Sequence, residues 1–88
     1  MKTKFELKMK MKQFERQKDD VKSREQNFRL KTDLVDKAKG SSCYKKAFEL
    51  MENARTAWWK SIDKKLELEQ EIKILEKKLI AEIMEEVE

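Results

Sequence analysis

One glycine and no proline punctuate a chain of 88 residues. These two residues break helices more strongly than any others, so a chain almost without them has few places to turn. The glycine lies in Lys39-Gly40-Ser41-Ser42. Gly closes a helix in the left-handed conformation and Ser is among the best openers of a following one, so the segment reads as stop then start, with Ser42 as the expected N-cap. The expected fold class is all-α. Two long helices form an antiparallel coiled-coil hairpin, with one arm over about residues 1–38, a turn at 39–42 and a second arm over about 43–87.

Apolar spacing supports both arms. From Leu7 a seven-residue repeat runs through Phe14, Val21, Phe28 and Val35, which is a coiled-coil seam signal. Its companion positions are mostly polar (Gln17 and Lys18, Arg24 and Glu25, Lys31 and Thr32), so the seam is thin and must lie against a richer helix. The second arm is that helix. Ala47, Met51, Ala54, Trp58, Ile62, Leu68, Ile72, Leu75, Leu79 and Ile83 recur at threes and fours, interrupted at Lys64-Lys65-Leu66. The first dozen residues alternate apolar and polar as a strand would, yet no second strand exists for them to pair with. They are therefore expected to be helical, which leaves Phe5 and Met9 uncovered.

The hairpin makes an arithmetical prediction: about a turn near residue 41, facing residues have numbers that add to about 82 or 83. Leu7 then faces Leu75, Met11 faces Ile72, Phe14 faces Leu68, Val21 faces Ile62, Phe28 faces Ala54 and Val35 faces Ala47. Charge favours the same orientation. Residues 1–46 carry 15 Lys/Arg against 7 Asp/Glu, whereas residues 47–88 carry 7 against 11. Lys2, Lys4, Lys8, Lys10 and Lys12 are expected beside Glu71, Glu76, Glu82, Glu85 and Glu86, where exposed pairs select orientation more than they stabilise.

Composition narrows the function classes. The chain is 45% charged with a mean hydropathy of −0.95, but its apolar residues are periodic, unlike those of a disordered tract. A single core of this size is marginal, so the whole chain is expected to be one domain that gains from a partner or a second copy. There is no histidine and one cysteine, which removes the usual general base, the Ser/His and Cys/His arrangements, an internal disulfide and most transition-metal sites. No catalytic, cofactor or metal residues are expected. No apolar run approaches a membrane span or a signal segment, so the expected location is cytoplasmic.

What remains are surfaces. Tyr44, Phe48, Arg55, Trp59 and Leu66 form a stripe on the second arm rotated roughly 80–120° from its seam, so one partner helix cannot cover both. The stripe is expected to bind protein, either as the core of a homodimer in which two hairpins form a four-helix bundle, or as a docking site with Trp59, Phe48 and Arg55 as anchors. The alternative is a small basic nucleic-acid-binding regulator using Lys2, Lys4, Lys8, Lys10, Lys12 and Arg16, although Glu15, Asp19, Asp20 and Glu25 interleave with the bases of this arm. An anionic membrane surface is a weaker option for the same lysines with Phe5, Leu7, Met9 and Met11. The serines at the tip are explained by capping. The C-terminus, Met84-Glu85-Glu86-Val87-Glu88, resembles the Met-Glu-Glu-Val-Asp tail by which eukaryotic cytosolic heat-shock chaperones engage tetratricopeptide-repeat co-chaperones. The likeness covers those five residues and departs at Glu88. Carboxylates at a helix C-terminus oppose its dipole, so this end is expected to fray.

Overall fold

The structure, a computed structural model, describes residues 2–87, with the side chains of residues 2–86. Helix α1 spans Lys2–Lys37 and helix α2 spans Tyr44–Val87. At 1.5 Å per residue they are about 54 and 66 Å long, and packed side by side they form a rod of 72 × 14 × 14 Å. The alternating segment at the N-terminus is helical from Lys2 onward, and no strand occurs among the described residues. Phe5 and Met9 are exposed, as helix geometry requires. Among the described residues no helix is long and apolar enough to cross a membrane.

The turn forms where the single glycine predicts it. Gly40 has φ of +79° and every other described residue has negative φ. The Ser41 N–H donates to the Ala38 carbonyl at 3.0 Å, which closes a four-residue turn of type II, the type that needs positive φ at its third residue. The cap of α2 differs from the expectation by one step. Cys43, not Ser42, precedes the first helical residue, and its carbonyl accepts the first bond, from the Ala47 N–H at 3.0 Å. Ser41 does the capping, because its Oγ accepts from the Cys43 N–H at 3.2 Å and its carbonyl accepts from the Tyr44 N–H. A Cβ on Gly40 would meet no atom within 4 Å, so replacement there acts through backbone conformation alone. Gly40→Ala is expected to lower stability by about 1–2 kcal/mol, and Gly40→Asn by less, because Asn tolerates the left-handed region. Urea denaturation measures both, and equal losses for the two variants would show that φ is not the cause.

The seam follows one strict heptad on each arm. In α2 the inward positions are Ala47, Met51, Ala54, Trp58, Ser61, Lys65, Leu68, Ile72, Leu75, Leu79 and Glu82, all buried or half-buried. The apparent interruption at Lys64-Lys65-Leu66 is therefore a polar residue on the seam, and the period continues through it. In α1 the apolar repeat from Leu7 to Val35 faces inward, together with Thr3 ahead of it and Lys10, Gln17 and Lys31 between its members, whereas Arg24 at the remaining companion position is exposed. Three of these polar residues find partners on α2. Thr3 Oγ1 donates to Glu82 Oε1 at 2.7 Å, Lys10 Nζ pairs with Glu71 at 2.6 Å, and the buried Gln17 donates through Nε2 to the Ser61 carbonyl at 2.8 Å.

These contacts confirm the register on average and correct it in detail. The paired numbers add to 85, 81 and 78, a scatter centred near the expected value because each knob sits in a hole between several facing residues. For that reason Phe28 does not simply oppose Ala54. It stacks on Trp58 with ring centroids 5.5 Å apart, while Ala54 is buried beside them. Ile83 and Met11, expected on the seam, are 46% and 50% exposed, and Ser61 takes the buried seam position expected of Ile62. The heptad assigns Leu79 and Glu82 inward and leaves Ile83 one step round the helix. Of the lysines expected beside α2 carboxylates, only Lys10 makes an ion pair across the hairpin among the described residues. Exposed lysines lose more side-chain entropy on pairing than such contacts return.

The resulting core is thin. Val35, Ala47, Ala54 and Leu68 are the buried apolar side chains, and no large side chain is completely enclosed among the described residues. Accessible surface is 7128 Å², against about 5500 Å² for a compact monomer of this mass. The chain forms a defined hairpin and leaves much of its apolar surface in water.

Candidate functional site

Two helices bury one side of each, so most large apolar residues off the two heptads are exposed, while Leu50 and Ile62 are half-buried. On α2 the expected stripe is there. Tyr44, Phe48, Trp59 and Leu66 are 40%, 43%, 54% and 52% exposed. They run from the first turn of α2 to its middle, and the aromatic ones make contacts with their neighbours. Tyr44 and Phe48, one turn apart, have centroids 6.3 Å apart in a tilted pair. The Arg55 guanidinium lies over the Trp59 ring, 5.1 Å from its centroid, and also pairs with the Glu52 carboxylate one turn back.

These contacts engage the Arg55 guanidinium on two sides. A guanidinium already stacked and ion-paired has less rotamer freedom to lose on binding, so the stripe is preorganised for contact. Glu52 was not evident in sequence as part of the surface. Its signal was the three-residue spacing to Arg55, which on a helix places the two together. Leu30 and Leu34 on α1, 67% and 43% exposed, were also missed. Their spacing of four, out of step with the Leu7 heptad, is the sign that they face outward.

Trp58 belongs to the seam, as its stack on Phe28 shows. Its Nε1 is buried without a protein acceptor, while its carbonyl accepts from Ser61 Oγ at 2.5 Å. Nearer the open end, an apolar groove of about 540 Å³ lies between the arms, lined by Met11, Phe14 and Ile72 and by the stems of Lys8, Lys12 and Glu76. Met11 and Ile72, expected to face each other, thus meet in an open groove.

The basic residues are dispersed. Lys10 is engaged with Glu71, and Lys2 stands beside Glu82, Glu85 and Glu86. Lys4, Lys8, Lys12 and Arg16 follow one another at four-residue steps and form no ion pair among the described residues. At 100° per residue such a row drifts around the helix and crosses its outer face obliquely. At the C-terminus α2 is helical through Val87, beyond the Met84 position where the tail resemblance begins. The Thr3 bond to Glu82 and the neighbouring Lys2 offset the unfavourable carboxylates there. Met84 is 61% exposed, and Glu88, the last residue of the tail resemblance, lies outside the described residues.

No protein-family model, no curated protein and no solved structure matches this chain.

Proposed function

We propose that this protein is a non-enzymatic protein–protein interaction module, an assembly, adaptor or chaperone-like hairpin that docks onto other helices through the aromatic stripe of α2. The observation that carries this reading is the half-exposed Trp59, ordered by Arg55 and Glu52 and followed by Leu66 on the same face. Trp and Arg are the residues that most often dominate interface energetics, and a preordered pair of them loses little entropy on contact. Aromatic groups supply the affinity, and the charges around them supply orientation.

Trp59→Ala tests the reading. The variant is expected to keep the circular-dichroism spectrum and to stay within about 0.5 kcal/mol of wild-type stability, as a surface substitution should. Its self-association or partner binding is expected to weaken by about tenfold or more. If the dilute variant unfolds, Trp59 belongs to the core and the reading fails. The unpaired row Lys4, Lys8, Lys12 and Arg16 supports a second reading, a small basic nucleic-acid-binding regulator. The same titrations at rising salt separate the two, because phosphate contacts weaken steeply with salt and an aromatic interface hardly responds.

A further inference from the structure

Resting on that reading, we propose that the occupant of the stripe is a second copy of this chain, packed antiparallel along α2 about a two-fold axis between Asn53 and Ala54. The argument begins with spacing. Phe48, Glu52, Arg55, Trp59, Ile62 and Leu66 follow one another at 4, 3, 4, 3 and 4 residues, which is a heptad in its own right and distinct from the seam through Ala47, Ala54 and Ser61. A helix with two heptad seams is built to pack against two helices, as each helix of a four-helix bundle does.

Register then follows from charge. In antiparallel coiled coils the first seam position of one helix lies opposite the second seam position of the other, so the allowed alignments differ by whole heptads. One alignment sets Phe48 opposite the partner's Trp59 and Glu52 opposite the partner's Arg55. By symmetry each of these contacts occurs twice. Sliding by one heptad in one direction sets Glu52 against the partner's Ile62. Sliding in the other sets Glu52 against the partner's Phe48 and Arg55 against the partner's Lys45. In both shifts Glu52 faces an apolar side chain and keeps only the Arg55 of its own chain as a partner, so no charge pair forms across the axis. The first alignment alone pairs acid with base between the two copies and sets aromatic on aromatic, with Ile62 opposite the partner's Lys45 at its edge.

The groups involved already have the needed posture. Arg55 and Glu52 are paired within the chain and Arg55 covers Trp59, so dimerisation doubles an existing cluster instead of ordering a new one.

The test uses the full chain, in sedimentation equilibrium at tens of micromolar, with Glu52→Arg and Arg55→Glu as variants. Each variant alone places four like charges at the two-fold centre and is expected to dissociate the dimer at least tenfold more readily than wild type. An equimolar mixture restores complementary charges and is expected to form a heterodimer approaching wild-type affinity. Circular dichroism of each variant before mixing verifies helicity; if a reversal unfolds the chain, Glu52→Gln and Arg55→Gln replace the pair, each expected to weaken the dimer about threefold. A monomeric wild type would overturn this inference and leave the stripe for a different protein. A wild-type dimer indifferent to both charge variants and to Trp59→Ala would overturn this inference and the interaction reading together. A dimer weakened by Trp59→Ala but not rescued in the mixture would overturn the proposed alignment.

Discussion

Phe28→Asp is expected to open the hairpin. Phe28 stacks on Trp58 across the seam at 5.5 Å, in the half of the rod where α2 otherwise contributes the small residues Ala47 and Ala54. Replacing the ring removes the largest apolar contact of that half and sets a carboxylate against an indole. We expect a loss of about 4 kcal/mol, in the range of large aromatic truncations and raised by the buried charge. An 88-residue chain has about 4–13 kcal/mol in total, and a core this thin places it toward the lower end. α1 has a narrow apolar face, and an isolated helix of its kind is marginal in water, so loss of docking becomes loss of helicity. Circular dichroism at increasing temperature is the measurement. A spectrum and midpoint matching wild type would reject the seam, while Phe28→Leu, which keeps most of the volume, is expected to cost only about 1 kcal/mol.

Leu68→Ala and Leu66→Ala form the second test, and its force lies in the contrast. The residues are two apart on one helix, 7% and 52% exposed. Leu68 is the largest of the buried apolar side chains, so its truncation leaves a cavity between the arms and is expected to cost about 3 kcal/mol. The melting midpoint should fall by roughly 12–20 °C for a domain of this size. Leu66 faces away from α1, and its truncation is expected to stay within about 0.5 kcal/mol. Thermal melts of both variants decide the matter. A larger loss for Leu66 would mean that α2 is rotated by roughly half a turn and that stripe and seam have exchanged roles.

The heptad from Leu7 to Val35 was legible because it is apolar; its companion set was not, because Thr3, Lys10 and Gln17 look like surface residues. They reach the seam by finding specific partners: a carboxylate for Thr3 and Lys10, a backbone carbonyl for Gln17. A pattern of hydrophobicity cannot register hydrogen bonds to residues more than forty positions away. The same blindness made Lys65 look like a break in α2. The candidate surface fared better, since exposed aromatics on a helix are identified by being out of phase with the seam. Tyr44, Phe48, Trp59 and Leu66 are all exposed as their phase requires. Glu52 was overlooked because a lone carboxylate in a chain this rich in charge carries no signal until its neighbour Arg55 is seen over a ring.

By itself the sequence determined the two helices, the place of the turn and the antiparallel orientation, because these depend on local preferences: one glycine able to adopt φ of +79°, near-absence of other breakers, and charge of opposite sign on the two arms. Only the tertiary structure decided how each helix is rotated about its axis. That rotation places Phe28 on Trp58 and not simply on Ala54, turns Ile83 and half of Met11 to water, and buries Gln17 against Ser61. The reason is geometric. Adjacent residues lie about 100° apart on a helix and α2 carries apolar residues in more than one phase, so which phase lies inward is settled only by the helix packed against it.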